Sequence, residues 1–342
     1  MHRREFLTIC GGTLLFPAEI LCADHHVVSV NPLMVTSDLD SLAGRYTKVG
    51  DFFVRNHTVT PQDTGEPFLQ VEGEVAKPQR LNLADMAVLK NLQLGAVLEC
   101  AGNPVGTTGL VSNGLWKGWP LGKLLDQAQP KGSAAFLHLF GRDGWGRSVP
   151  VDEAYRDAML VTHLNGRPLE ANHGAPWRVI FPGRYGMDSV KWVDRMVVST
   201  APLLTDNNEY MQLRTSASGK PDWQPLRRVQ IKSVIVYPAD RRVLKRGNIE
   251  VRGLAWSGEG AVSRVEISND GGINWRNGTV DVGGQYEWAP WHASLELNQP
   301  GVVDLVCRAT DVKAHTQAKN RDQGRLDGYE NNQYHRVRVV VV

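Results

Sequence analysis

At 342 residues, with 42% hydrophobic and 22% charged residues, the chain has the length of two domains and the composition of an ordinary globular protein. The formal net charge is only +2, so nothing global calls for nucleic acid or an anionic membrane as partner. Local arginines carry more information than the total.

The segment 1–23 reads as a twin-arginine export signal. Arg3-Arg4-Glu5-Phe6-Leu7 precedes an apolar run from Thr8 to Leu15, then Pro17 and a small residue at Leu21-Cys22-Ala23. The run is shorter than the about 20 residues a membrane span needs, and the expected destination is the periplasm. Cys10 and Cys22 fall in this segment, which leaves Cys100 and Cys307 for the mature chain. Cys307 sits in the alternating stretch Val303 to Cys307 and reads as core. No C-x-x-C-H is present, so no haem is expected on this chain; C-x-x-C and His-x-x-x-His zinc spacings are absent too.

Residues from Asp24 to about Asp51 read as a polar lead-in. Phe52-Phe53-Val54-Arg55-Asn56-His57 is an apolar entry ending in two cations that flank an amide. Leu69 to Val75 alternates as a half-exposed strand, Leu81 to Leu89 is a short helix candidate, and Leu92 to Cys100 is a buried strand. That strand delivers Cys100 onto a turn in which Gly102 and Asn103 tolerate positive φ. A thiolate there is a soft metal ligand and a nucleophile; a small buried thiol is the alternative. Trp116 to Leu121 leads into a helix at Leu121 to Gln127. Ala135 to Phe140, Val179 to Gly183 and a stretch starting at Val190 are further strands. Irregular mixing of short strands and helices argues for α+β, and no G-x-G-x-x-G opens a helix. Ser216 to Gln224 reads as a linker. Beyond it, short alternating strands at Val229–Tyr237, Ile249–Val251, Val262–Ile267, Val303–Cys307 and Tyr334–Val342 predict a β-sandwich.

The polar residues at strand ends and Gly-rich turns before the linker are Arg55, His57, Cys100, Asp143, His173, Arg178, Arg184, Lys191 and Tyr210. Arginine and lysine in such places suit a phosphate or another oxyanion. Beside one potential thiolate they read as a site for an anionic cofactor and a metal.

Arg55-Asn56-His57, Cys100-Ala101-Gly102-Asn103, His173-Gly174-x-Pro176-x-Arg178 with Pro182-Gly183, and Val190-Lys191-Trp192 resemble the sulfite oxidase family of molybdenum enzymes. Gly253-Leu254-Ala255-Trp256-Ser257-Gly258, Asp270-Gly271-Gly272-x-x-Trp275 and Tyr334-His335-Arg336-Val337 resemble that family's immunoglobulin-like dimerisation domain. The resemblance implies a molybdopterin-binding catalytic domain at 24–225 and the dimerisation domain at 226–342. It implies a molybdenum–molybdopterin cofactor with Cys100 on the metal. Arg55, Asn56, His57, Asp143, His173, Arg178, Ser189 and Lys191 would grip pterin and phosphate. Arg55 and Tyr210 would act on the substrate, and Trp116 resembles a tryptophan of the substrate funnel, with plain core packing as the other reading.

The same resemblance implies oxidation of sulfite or a related sulfur compound, with electrons passed to a cytochrome c. A homodimer, or a heterodimer with a cytochrome subunit, would follow. Two departures bear on the substrate. Pro104 and Val105 follow Asn103 where an arginine is usual, and Asp327 precedes Gly328 where another is usual, with Arg325 two residues earlier. One lost charge-assisted hydrogen bond, about 1.5–3 kcal/mol, weakens an anion more than about tenfold. A sulfane carried on a partner is therefore a second substrate reading. A cofactor-free exported binding module is the rival from another class.

Overall fold

The computed structural model describes residues 25–37, 42, 44–62, 66–103, 109–203, 210–216, 218–322 and 328–342. The export-signal segment 1–23 lies outside them.

The chain is mostly β-structure. Among the described residues the α-helices are Leu83–Ala87, Leu121–Ala128 and Val151–Arg156, so α+β fits only loosely. Leu121, Leu124, Leu125 and Ala128 recur at i, i+3, i+4 and i+7, and all are buried. Each buried leucine is worth about 1.5–3 kcal/mol, which makes this short helix a product of its packing. Helix Leu83–Ala87 starts on a reciprocal cap, in which Asn82 accepts from the Asp85 amide and Asp85 accepts from the Asn82 amide.

Two five-stranded sheets form the framework before residue 200. One has the order Arg167–Pro168, Met159–Leu164, Val111–Pro120, Leu92–Glu99, with Arg178–Ile180 also pairing to Met159–Leu164. The other runs Gln79–Leu81, Leu69–Gly73, Val193–Ser199, Phe136–Gly141, Gly146–Pro150, with one parallel pair at its centre. Leu69, Val71, Leu137, Leu139 and Met196 of the second sheet meet Leu160 and Val179 of the first in one core, together with helix Leu121–Ala128. The polar lead-in is itself structured: His25–Val30 and Leu33–Ser37 form a hairpin that pairs with Val54–Arg55. The linker reading of Ser216 to Gln224 is corrected as well. Met211–Thr215 pairs antiparallel with Pro221–Pro225, and the Ser216 amide donates to the Lys220 carbonyl at 2.8 Å between them, so the two form a hairpin.

Beyond the hairpin, Lys232–Tyr237, Gly247–Trp256, Ala289–Leu297 and Thr279–Val280 make a four-stranded sheet. Val243–Leu244, His335–Val341, Gly301–Asp311, Val262–Ser268 and Arg276–Asn277 make a five-stranded one. Val251 and Leu295 from the first meet Ile267, Leu305 and Val339 from the second, so the two sheets share one core, which is a sandwich. Cys307 is fully buried in it, as its alternation predicts.

The parts before and after the hairpin are joined by a further apolar cluster. Val97, Ala101, Tyr185 and Met187 pack there against Val234, Leu254, Trp256 and Trp288. Gly183 sits at this seam with φ +73°; a Cβ there would lie 2.4 Å from the Gly258 carbonyl oxygen, so only glycine fits. Along strand Leu92–Glu99 the faces alternate: Ala96 and Leu98 join a second cluster around Phe52 and Trp116, while Val97 faces the seam. No helix among the described residues is long and apolar enough to cross a membrane.

Candidate cofactor and active site

Where strand Leu92–Glu99 ends, Cys100 opens into a cleft. The turn closes through the Asn103 amide donating to the Cys100 carbonyl at 2.9 Å. Neither Gly102 nor Asn103 takes a left-handed φ, contrary to the sequence reading. Asn103 serves through its carboxamide: Nδ2 donates to Glu99 Oε1 at 2.9 Å and Oδ1 accepts from the Leu110 amide at 2.9 Å. Gly102 lets the Tyr329 ring close over the turn, and a Cβ there, 3.0 Å from the ring, would push it back by a few tenths of an ångström.

The cleft wall brings together Arg55, Asn56, His57, Cys100, Asp143, His173, Arg178, Ser189, Lys191 and Tyr210 from distant parts of the chain. Arg178 Nη1 donates to the His173 carbonyl at 3.2 Å and Nη2 to the Ser189 carbonyl at 2.7 Å, while its buried Nε has no partner. Lys191 Nζ donates to Asn56 Oδ1 and, at 2.9 Å, to the Asn172 carbonyl. Among the described residues both cations bond neutral oxygens, and neither has a carboxylate partner. Burial accordingly pushes Arg178 down to about 9, and burial together with Arg178 and Arg55 holds Lys191 well below its ordinary value.

The other side of the cleft is aromatic. His57 stacks on Trp145 with ring centres 3.9 Å apart, and its Nε2 lies 2.7 Å from the Tyr210 hydroxyl. Burial, then Arg55, Lys191 and Arg147, lower His57 to about 4, so its imidazole is neutral at pH 7. The ring of Tyr210 stacks in turn on Tyr329, 5.6 Å away. Asp143 accepts from the Thr58 hydroxyl at 2.8 Å and the Trp145 amide at 3.1 Å. Burial, as the largest influence, raises the Cys100 thiol above its usual value, so a bare thiolate is not favoured there.

One sequence expectation is corrected, and of the two readings of Trp116 core packing is the one found. Arg184 is buried outside the cleft: Nη1 meets Asp188 Oδ2 at 2.6 Å and Nη2 pairs with Glu153, while Arg147 Nε takes Asp188 Oδ1 at 2.9 Å. Trp116 lies beneath the cleft rather than in its wall. It is fully buried, meets Phe52 edge-on, donates to the Ala96 carbonyl and sits under the Arg178 guanidinium. Pro104, Val105, Arg325 and Asp327 lie outside the described residues. Trp145, Met187 and Trp192 line the cleft without having been singled out from sequence as site residues. Trp192 is held at φ 51°, a strained position for a non-glycine, while its indole donates to the Ala171 carbonyl at 2.8 Å.

This geometry suits a large anionic cofactor that carries a metal. Among the described residues no three His, Cys, Asp or Glu side chains cluster around a bare ion, so a metal at Cys100 needs further ligands from the cofactor itself. The unpartnered Arg178 Nε, and the Arg178 and Lys191 charges that only Asp143 offsets in part at Lys191, are what a phosphate would satisfy.

Family comparison reaches the same point. Residues 57–206 match the model for the oxidoreductase molybdopterin binding domain, and residues 224–342 match that for the Mo-co oxidoreductase dimerisation domain. The chain belongs to the sulfite oxidase family of molybdopterin oxidoreductases. Mouse mitochondrial sulfite oxidase is 28% identical over 335 residues, covering 85% of this chain and 61% of the mouse protein. The NADPH nitrate reductase of Aspergillus niger, another relative, is 30% identical over 322 residues, covering 76% of this chain and 37% of its own. This chain thus spans about three fifths of the length of the mitochondrial sulfite oxidases it matches. In structure it is similar to the sulfane dehydrogenase SoxCD from Paracoccus pantotrophus, with a TM-score of 0.83 and 26% identity over 92% of this chain and 87% of that one.

Proposed function

We propose that the protein is a molybdopterin-dependent oxidoreductase that oxidises sulfite to sulfate, or a related sulfur compound, and passes the electrons to a cytochrome c. The observation that carries this reading is the convergence of one accessible thiol, Cys100, with Arg55, Arg178 and Lys191 in a single cleft. Arg178, Lys191, His173 and Ser189 would hold the pterin phosphate, with His57, Asn56 and Asp143 along the pterin, and Cys100 would ligate molybdenum. When bound, the cofactor supplies the two-electron chemistry and the oxygen-transfer centre. The chain's own part is binding, orientation and electrostatics. Arg55 draws an oxyanion toward Cys100, and the Tyr210 hydroxyl, held by neutral His57, offers a hydrogen bond to the reacting group and a route for its proton.

A second substrate reading, a sulfane borne on a carrier, is favoured by the similarity to SoxCD and by Val105 and Asp327 standing where arginines are usual in sulfite enzymes. In the same proposal, residues 24–225 form the catalytic domain and 226–342 an immunoglobulin-like dimerisation domain. The subunit pairs with a second copy or a cytochrome subunit, carries no haem of its own, and reaches the periplasm by the twin-arginine route on Arg3-Arg4.

The test is metal analysis and visible absorption of protein made in a molybdopterin-producing host, with Cys100→Ser alongside. About one molybdenum per chain and a thiolate-to-metal band absent from the variant are expected. Bleaching of that band by sulfite supports sulfite itself; an unresponsive band moves the substrate to carrier-borne sulfur. Folded protein without molybdenum or pterin would sink the proposal and leave the binding module.

A further inference from the structure

The residue preceding the candidate metal ligand is a fully buried carboxylate, and the side chains that hold it come largely from the C-terminal sandwich. Glu99 is 0% exposed, and its Oε1 accepts from Lys232 Nζ at 2.6 Å and from Asn103 Nδ2 at 2.9 Å. Its Oε2 accepts from Trp256 Nε1 at 2.7 Å. Lys232 is itself 2% exposed and begins strand Lys232–Tyr237 of the sandwich. The same strand of the catalytic part is held on both sides of Glu99: the Val97 amide donates to the Tyr286 carbonyl at 2.8 Å, and the Glu330 amide donates to the Ala101 carbonyl at 3.0 Å.

Alternation gives these contacts their meaning. Leu98 and Cys100 line the cleft, while Glu99 does not, so the carboxylate points away from the cleft on the opposite face of the same strand. Lys232 therefore grips the cysteine turn from behind, without touching anything bound in front. A buried carboxylate saturated by one ammonium, one indole and one carboxamide has little freedom. If the ammonium is lost, an uncompensated charge remains in the interior, and the turn 99–103 must open to hydrate it.

We propose that Lys232 is a positioning residue for Cys100, acting through Glu99, so that the sandwich of the same chain fixes the thiol at the cofactor site. The proposal rests on Cys100 being the metal ligand. On this view the sandwich is a structural part of the site as well as a candidate dimer surface.

The test uses the full chain, with and without cofactor, as wild type, Lys232→Met, Glu99→Gln/Lys232→Met and Lys232→Gln. Two signals are read: alkylation of Cys100 in folded, cofactor-free protein, mapped on its own peptide, and the thiolate-to-metal band of the loaded protein. In Lys232→Met, alkylation should quicken on the order of tenfold through local opening, and the band should weaken or shift. The double variant should return both part of the way toward wild type: the carboxamide introduced by Glu99→Gln carries no buried charge and still accepts from Trp256, while its NH2 faces Asn103 Nδ2 and that one bond is lost. Folded Lys232→Met with wild-type alkylation and band overturns the proposal, and lack of recovery in the double variant overturns the route through Glu99. Should Lys232→Met not fold, Lys232→Gln, which keeps a donor for Glu99 and removes the charge, decides: faster alkylation at an unchanged melting temperature supports the proposal, and a wild-type rate overturns it. A wild type that lacks the metal band refutes Cys100 as ligand, while the alkylation series still reports on the hold of Lys232.

Discussion

Tyr210 places its hydroxyl 2.7 Å from His57 Nε2, although 153 positions separate the two in sequence. His57 is fixed from its other side by the face of Trp145, and Tyr210 by the face of Tyr329, so the pair is clamped between aromatic rings. A hydroxyl so held is suited to hydrogen bonding and proton transfer at the cleft. Tyr210→Phe should lower turnover on the order of 10²-fold while costing about 1 kcal/mol in stability. Steady-state kinetics beside a denaturant titration checks it; a large loss of stability with unchanged turnover would make Tyr210 a packing residue.

His57 also gives the fold a pH dependence. Its value is lowered in the folded state from 6.5 to about 4, so between those pH values the unfolded chain binds a proton that the native chain does not. The stability held by neutral His57 is present above about pH 6.5, falls as pH drops through the window, and is fully lost below about 4. The full size is about 3 kcal/mol, less to the extent that solvent reaches the partly exposed ring. Urea midpoints of cofactor-free protein from pH 7 to pH 4 should show this loss, and His57→Asn should remove that part of the slope.

Arg184 tests whether the corrected assignment holds. It joins Asp188, which is 1% exposed, to Glu153, and Arg147 reaches the same Asp188 from the other side. Arg184→Met should destabilise by about 3–5 kcal/mol, because Asp188 stays buried and loses one of its two cations. Thermal unfolding reads this directly. Folded Arg184→Met that binds cofactor poorly at wild-type stability would return Arg184 to the cleft.

The residues that meet in the cleft were largely legible because they lie in short motifs whose chemistry is local: a thiol at a strand end, basic residues in Gly and Pro turns. Helix Leu121–Ala128 was legible from its apolar spacing. What remained hidden depends on partners far away in the sequence. Arg184 reads like Arg178 until Glu153 and Asp188 are seen beside it. Glu99, the one carboxylate in a stretch read as a buried strand, shows no reason to be there until Lys232 and Trp256 fill its oxygens. The ten-residue strand Val111–Pro120 mixes Gly, Asn and Lys with apolar residues: buried Asn113 donates to the Arg45 carbonyl, and Gly118 lies where a Cβ would meet the Leu160 carbonyl oxygen at 2.0 Å, so alternation does not mark it. Trp145 follows a turn, and nothing local says that its face will support His57.

Lys191 separates cofactor binding from stability most sharply. Its ammonium is held by Asn56 and the Asn172 carbonyl, and burial with Arg178 and Arg55 nearby disfavours its charge. Without an anion in the cleft, that charge works against the fold. Lys191→Met removes the charge and leaves two acceptors short of a donor, so cofactor-free protein should match wild type to within about 1 kcal/mol. With the pterin phosphate in place the sign reverses, since one charge-assisted bond of about 1.5–3 kcal/mol is missing and cofactor affinity falls more than about tenfold. Pterin content after purification, set against the melting temperature of the cofactor-free form, reads both effects. Lys123→Met, at a site with 68% of its side chain exposed, is the control and should change neither. Equal pterin content in Lys191→Met and wild type would remove Lys191 from the phosphate site and place the anion on Arg178 alone.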